Sequence, residues 1–98
     1  MYVFQASNVA PHQAAEHTAT NSAVKVVATK PAILAKQGVI VQALSTNTAS
    51  VFVGGAGVDN TTGYELAAGK DVAFLIEDPS LIYSYCGTAS QKLHIIWM

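Results

Sequence analysis

Short apolar runs separated by turn residues constrain the fold of this chain more than any other feature. The runs are rich in β-branched and aromatic residues, which suit a half-buried pleated surface. They span residues 23–28, 39–44, 51–54, 64–66, 71–77, 81–86 and 93–97. Turn signals recur between them, and no helical periodicity of useful length is present. This spacing predicts an all-β fold, namely a single β-sandwich of jelly-roll or Greek-key type.

Several of these runs are apolar at consecutive positions, as in residues 74–76 (Phe-Leu-Ile) and 95–97 (Ile-Ile-Trp). Consecutive side chains of a strand point to opposite faces, so one set enters the core and the other needs a different cover. The charge content points the same way, because 11% of the residues are charged against about 25% in an average soluble domain. Both observations predict that other chains cover part of the surface.

Residues 1–22 differ in composition from the rest of the chain. We predict that they form an extended N-terminal arm and that the sandwich domain spans residues 23–98. The apolar residues Tyr2, Val3 and Phe4 are the expected anchors of this arm at an interface. A segment that orders on a partner covers a large surface at an entropic cost.

Residue types that carry chemistry are present, but their spacing does not make a site. His12 and His17 lack a third ligand fixed nearby, and both are interpreted as surface histidines of the arm. His94 stands between apolar residues and is predicted to lie at a rim or an interface. Asp59 is interpreted as a turn former, because its loop lacks the further carboxylates that a calcium site needs. We therefore predict no catalytic residue, no cofactor, no metal and no enzyme activity.

The distribution of charge and of apolar residues excludes several classes of partner. All five basic residues are scattered lysines, whereas a nucleic-acid surface needs clustered positive charge, so no nucleic acid is expected. No apolar stretch approaches the roughly 18 residues of a membrane span, and a signal-peptide pattern is lacking. The single cysteine, Cys86, is predicted to be a small buried hydrophobe.

A glycine-rich stretch over residues 54–63 is interpreted as a shaped connection at one end of the sandwich. It is not followed by a lysine or a helix, so it does not match a phosphate-binding loop. Replacing Gly54 or Gly69 with valine should cost stability or assembly if the backbone at those positions needs positive φ. Tyr64 and Trp97 are predicted to lie at an interface or in the core, and a sugar-binding platform built from the tyrosines and Trp97 is the alternative.

The central part of the chain resembles a segment that recurs in small virion proteins of tailed bacteriophages. The resemblance covers residues 38–97 and is carried by Thr46-Asn47-Thr48, Val51-Phe52-Val53-Gly54, Gly57-Val58, Gly63-Tyr64-Glu65-Leu66, Gly69 and Leu81-Ile82-Tyr83. Proteins of that kind are β-sandwiches or jelly rolls that decorate capsids or form modules of head fibres and tails. The resemblance implies no enzyme activity and no catalytic residues.

The first hypothesis is a structural virion protein, a homotrimer that decorates the capsid, binds the major capsid protein and stabilises the head shell. It would be made in the host cytoplasm and reside on the capsid surface of the virion. A tail, neck or head-fibre component is the alternative within the virion class. A carbohydrate-binding β-sandwich using the loop over residues 55–63 is the alternative from another class, and a small cupin-like enzyme is the weakest.

Overall fold

A computed structural model describes residues 13–88 and 90–98. The described chain forms eight strands: β1 (Gln13–Ala19), β2 (Val24–Lys25), β3 (Val39–Ala43), β4 (Val51–Gly54), β5 (Tyr64–Leu66), β6 (Asp71–Phe74), β7 (Tyr83–Tyr85) and β8 (Gln91–Trp97). A single turn of 3-10 helix, Pro79–Leu81, precedes β7 and is the only helix in these two ranges.

The eight strands form two antiparallel four-stranded sheets. Sheet A has the order β1-β8-β3-β6, and sheet B has the order β2-β7-β4-β5. Each strand pairs with the strand that mirrors it along the chain, so β1 pairs with β8, β2 with β7, β3 with β6 and β4 with β5. Two further pairings, β3 with β8 and β4 with β7, join the mirrored pairs into sheets. The predicted all-β, sandwich-like arrangement is confirmed.

One apolar core lies between the two sheets, because alternate residues of each strand point inward. Val39 and Val41 of sheet A and Val51 of sheet B are all fully buried. They belong to a single cluster to which both sheets contribute. Full burial of a side chain of this size is worth about 1.5–3 kcal/mol, so the shared core holds the sheets face to face.

Residues 13–19 correct the predicted extent of the N-terminal arm. They form β1 and pair with β8 along their whole length, from Gln13 opposite Trp97 to Ala19 opposite Gln91. Small and polar residues dominate this strand, so it lacks the bulky side chains that signal β-structure in a sequence. The remainder of the predicted arm that precedes β1, residues 1–12, lies outside the described residues.

The segment between β6 and β7 shows why the predicted strand over residues 81–86 starts later. Asp78 caps the 3-10 turn, since its Oδ1 accepts hydrogen bonds from Ser80 N at 2.9 Å and from Ser80 Oγ at 2.7 Å. The bond from the Ser80 hydroxyl is the main reason that the pKa of Asp78 lies below its usual value. Pro79 suits the first position of the turn because it has no amide hydrogen to satisfy.

Candidate interaction surface

The outer face of sheet A carries a row of apolar side chains that point away from the core. Across the sheet, Ala14 lies opposite Ile96, Ile96 opposite Ile40, and Ile40 opposite Ala73. Cross-strand partners share a face, so these four residues form one continuous strip. With Leu75, which follows β6, they are called here the outer apolar patch.

Leu75 is the most exposed member of the outer apolar patch. Its side chain is 92% exposed, although leucine is among the residues most often buried in folded proteins. The Leu75 Cδ2 atom lies close to Gly38 at the end of β3, about 3.9 Å from where a Cβ of that glycine would stand. The sequence indicates this feature, because residues 74–76 are apolar on both faces of a strand.

A polar row borders the outer apolar patch on the same face. Glu16 lies opposite His94, His94 opposite Gln42, and Gln42 opposite Asp71. The Glu16 carboxylate is 3.3 Å from His94 Nε2 and 3.7 Å from Lys92 Nζ. These side chains are about half exposed, so water screens the ion pairs and their contribution to stability is small. His94 therefore points outward from the face of sheet A and does not lie at a catalytic centre.

Two shallow hollows adjoin the outer apolar patch. One has a volume of about 280 Å³ and lies over β1 and β8, where Ala14 and Ile96 help to line it. The other has a volume of about 250 Å³ and lies at the other side of the patch, where Gly38 and Leu75 help to line it. Glu16 and His94 also line the first hollow, and Lys36, Gln37 and Glu77 also line the second, so each combines apolar with polar or charged groups.

The outer face of sheet B is aromatic. Phe52 lies opposite Tyr85 on the neighbouring strand, and Tyr83 lies opposite Gly54. All three aromatic residues are half-buried. A flat array of rings on a sheet is a surface on which planar or apolar faces of a ligand can stack.

His17 lies between the two sheets, which corrects its interpretation as a surface histidine of the arm. Its Nε2 is 2.9 Å from Ser84 Oγ, so the pair joins β1 to β7. Burial lowers the pKa of His17, because the charged imidazolium would lose its hydration. Ser84 is fully buried, so its hydroxyl is closed to any substrate and the pair is a structural contact between the sheets.

The connection between β4 and β5 is shaped by Asp59, as the sequence predicts. Asp59 Oδ1 accepts hydrogen bonds from the backbone N–H groups of Thr61 and Thr62 at 2.8 and 3.0 Å, and from both threonine hydroxyls. The bond from the Thr61 hydroxyl is the largest of the effects that lower the pKa of Asp59. The Val58 side chain is 5% exposed and packs between the two ends of the connection, next to Gly54 and Gly63.

The condition of positive φ is met at Gly69 and not at Gly54. Gly69 has a φ of +81°, whereas Gly54 is not among the glycines with positive φ. Gly63 is needed for a different reason, because a Cβ there would stand 2.6 Å from Val58 Cγ2 and 2.8 Å from Phe52 Cβ. Space rather than backbone angle therefore selects glycine at this position.

The predicted interface residues fall in three different places. Tyr2, Val3 and Phe4 lie outside the described residues. Tyr64 is on the edge strand β5 and is 58% exposed, so it is available for contact. Trp97 is 6% exposed in the core, where its Nε1 donates a hydrogen bond to the Ile33 carbonyl at 2.8 Å. Sequence reasoning missed Ile40 and Ala73, whose outward position becomes visible only from the strand register.

Within residues 13–88 and 90–98, no three or more histidine, cysteine, aspartate or glutamate side chains come together as a metal site would require. Helices in the described ranges are also too short to span a membrane. Comparison of the chain with protein-family models, with curated proteins and with solved structures found no match. The register, burial and charge of the two outer faces are therefore the basis on which a function is assigned.

Proposed function

We propose that this chain is a structural virion protein that decorates a capsid, binds the major capsid protein and stabilises the head shell. It acts without a cofactor and without catalysis, as a homotrimer on the capsid surface, after synthesis in the host cytoplasm. The observation that carries the proposal is the mirrored pairing of the eight strands, in which β1 pairs with β8 and β4 with β5.

The same pairing supports a jelly roll as the finer description of the fold. A jelly roll is an eight-stranded double sheet in which a long antiparallel ribbon wraps around the core. The four mirrored pairs follow one another along such a ribbon. The two additional pairings, β3 with β8 and β4 with β7, are the contacts that form when the ribbon wraps around the core. Viral capsid proteins use this architecture, and so do lectins and cupins, so the fold is an argument by analogy that needs a second observation.

The second observation is the outer apolar patch. Ala14, Ala73 and Leu75 are its exposed members, whereas Ile96 is half-buried and Ile40 is 5% exposed. A partly exposed apolar strip with a polar border is typical of a surface that contacts another protein. Five lysines and six acidic residues are the only charged side chains among 98 residues, so little charge has to be desolvated when neighbouring chains associate. A shell protein gains from both properties, because each apolar Å² removed from water contributes roughly 25 cal/mol.

Acting as a clamp, the protein would bridge adjacent subunits of the shell and add contact area against internal pressure. We assign the contact with the capsid to the end of the sandwich that carries Tyr64, because this large side chain is 58% exposed on an edge strand. We propose Tyr2, Val3 and Phe4 as the residues that anchor the arm to adjacent subunits of the shell. Trp97 supports the clamp from the core by tying β8 to residue Ile33.

Co-sedimentation with empty capsids of the virus that encodes the chain tests this proposal. We expect wild-type protein to saturate the capsids and the Tyr64→Lys variant to bind more weakly. Ala68→Lys is the matched control, because Ala68 is exposed in the turn that follows β5, at the opposite end of this strand from Tyr64. Failure of the wild-type protein to co-sediment at any concentration would overturn the proposal.

The arm should be tested by removing residues 1–12 and no more. A deletion that extends to residue 20 also removes β1, whose loss would leave β8 with an unpaired edge. Electron microscopy of labelled virions then separates the shell from the tail, neck or head fibre, since each places the label on a different part of the particle.

A carbohydrate-binding module is the second candidate, and the aromatic face of sheet B favours it. Phe52, Tyr83 and Tyr85 lie on one face, and rings of this kind stack against the apolar faces of sugars. Binding on a glycan array that disappears in Tyr85→Ala and persists in Tyr64→Ala would assign the site to this face. Loss in Tyr64→Ala alone would instead assign it to the end of the β4–β5 connection.

A further inference from the structure

We propose that acid releases strand β1 from the rest of the fold, and that protonation of His17 is the cause. The other seven described strands stay in place, so the release is a local opening and not unfolding of the whole domain. The inference concerns a single chain and goes beyond the proposed function, so either one can fail without the other.

The position of His17 is what makes β1 sensitive to acid. The half-buried ring lies between the two sheets, where its Nε2 atom is 2.9 Å from the hydroxyl oxygen of the fully buried Ser84 on β7. Ala15 and Ala19 point to the same side of β1, and both pack in the core. A proton on the ring therefore puts a positive charge between the sheets while β1 is docked, and puts it in water once β1 is released.

Among the described residues, no charged side chain faces His17 from the strands around it. Alternation along the strands and the pairing between them give the inward positions, where Cys86 and Tyr64 are the titratable groups besides His17. Tyr64 is on β5, two strands from β7 at the far edge of sheet B. The other titratable residues of β1, β2, β7 and β8 point to the outer faces; they are Glu16, Lys25, Tyr83, Tyr85, Lys92 and His94. Burial without a counter-charge is accordingly the cause that lowers the pKa of His17.

Strand β1 is also held less firmly than its neighbour β8. It lies at the edge of sheet A, and among the described strands it pairs with β8 alone. The hydrophobic driving force grows with the apolar area buried, and β1 supplies alanines to the core where β8 supplies Leu93 and Ile95. The Thr20 carbonyl accepts a hydrogen bond from Cys86 N at 2.8 Å. This bond fixes the chain just after β1, so residue 20 is the hinge of the release.

An ion pair on the outer side of β1 acts against the release. The Glu16 carboxylate is 3.3 Å from His94 Nε2, and protonation of His94 by the same acid strengthens this contact. Both side chains are about half exposed, so water screens the pair and its effect is small. The buried charge at His17 therefore decides the direction, and loss of the His94 ring should leave the release at least as strong.

The direction of the pKa shift fixes the pH range of the release. The docked strand holds the pKa of His17 below its usual value of 6.5, and the released strand restores that value. The docked state is therefore fully favoured above pH 6.5 and loses stability as the pH falls through the lower, docked-state pKa. Release takes up one proton, so the ratio of released to docked protein rises by up to about tenfold for each pH unit in this range.

Amide hydrogen exchange can follow the release, because β8 uses different residues to pair with each neighbour. The Leu44 amide donates to the Lys92 carbonyl at 3.2 Å, so even-numbered residues of β8 bond to β3 and odd-numbered ones bond to β1. The amides of His17 and Leu93 thus report the pairing of β1 with β8. The amide of Gln42 reports the pairing of β3 with β8.

Residue-resolved exchange of the wild-type protein between about pH 7.5 and pH 5 tests the inference. We expect the protection factors at His17 and Leu93 to fall by up to about tenfold per pH unit below 6.5, while that at Gln42 stays constant. The fall should level off at the pH where the His17 imidazole titrates in the NMR spectrum of the same sample. Constant protection at Leu93, or an equal fall at Gln42, would overturn the proposal.

Two glutamine variants separate His17 from the other histidine of sheet A. His17→Gln keeps a group that can hydrogen-bond to Ser84 but removes the titration, so the fall at Leu93 should disappear. His94→Gln is the matched control, and its fall should be at least as large as that of the wild type. An unchanged fall in His17→Gln refutes the role of His17. The wild-type measurement decides the question by itself if His17→Gln does not fold.

Discussion

Substituting Gly63 with alanine should destabilise the protein, because neighbouring atoms already occupy the space that the added Cβ would need. The added Cβ would stand 2.6 Å from Val58 Cγ2, 2.8 Å from Phe52 Cβ and 3.2 Å from the Asp59 carbonyl oxygen. Two of these distances are shorter than any normal contact between carbon atoms, which is about 3.5–4.0 Å. The loop or β4 must therefore move, and overpacking of this kind costs about 1–3 kcal/mol.

The thermal midpoint gives a direct measure of this cost. For a domain of this size, 1 kcal/mol lowers the midpoint by about 4–8 °C, so a loss of about 2 kcal/mol corresponds to roughly 8–16 °C. Scanning calorimetry or urea unfolding of purified Gly63→Ala measures it. Gly55→Ala is the matched control, because nothing lies within 4 Å of its added Cβ and its φ is not positive.

Gly69→Ala separates crowding from backbone strain. Gly69 has a φ of +81° and open space around it, so alanine there should cost about 1–2 kcal/mol through the left-handed conformation alone. From most to least stable, the expected order of the variants is Gly55→Ala, then Gly69→Ala, then Gly63→Ala. A Gly63→Ala protein whose stability lies within about 0.5 kcal/mol of the wild type would refute the steric argument.

Two further predictions concern the contacts that join the sheets and the core. Burial lowers the pKa of His17 below 6.5 in the folded state, so the unfolded chain binds the imidazole proton more tightly. The free energy of unfolding is therefore greatest above pH 6.5 and falls as the pH drops through the lower folded-state pKa. The pH dependence of urea unfolding should therefore weaken in His17→Gln, and equal slopes in wild type and His17→Gln would contradict this. Trp97→Phe removes the hydrogen bond to the Ile33 carbonyl and should lower the free energy of unfolding by about 0.5–1.5 kcal/mol in the same assay. Trp97→Ala should lower it by about 3–5 kcal/mol. A Trp97→Phe protein as stable as the wild type would show that water replaces the indole as donor.

The strands that the sequence predicts well are those with bulky residues on their inward face. Residues 51–54 and 64–66 form β4 and β5 with the predicted bounds, because Val51 and Val53 fill the core directly. β1 was not predicted, since Ala15, His17 and Ala19 fill the core with small or polar groups. Alternation of these residues with Glu16 and Thr18 is the signal that marks the strand, and it is weak without large side chains.

The candidate surface could be predicted in part. Consecutive apolar residues at positions 74–76 and 95–97 indicated that a second face needs cover, and the exposure of Leu75 agrees with that indication. The register that sets Ile96 beside Ile40 depends on pairing between residues more than fifty positions apart. Such pairing follows from the global topology rather than from local preference, so a local sequence pattern cannot supply it.

The central position of β8 in sheet A has a consequence for how the chain reaches its folded state. β8 lies between β1 and β3, yet it follows the other seven described strands along the chain. Until residue 97 is available, β1 has no partner and β3 has an open edge, and unpaired edges of this kind recruit strands from other chains. Because pairing of distant strands is slow to form, newly made protein passes through a period in which intermolecular pairing competes with completion of its own sheet.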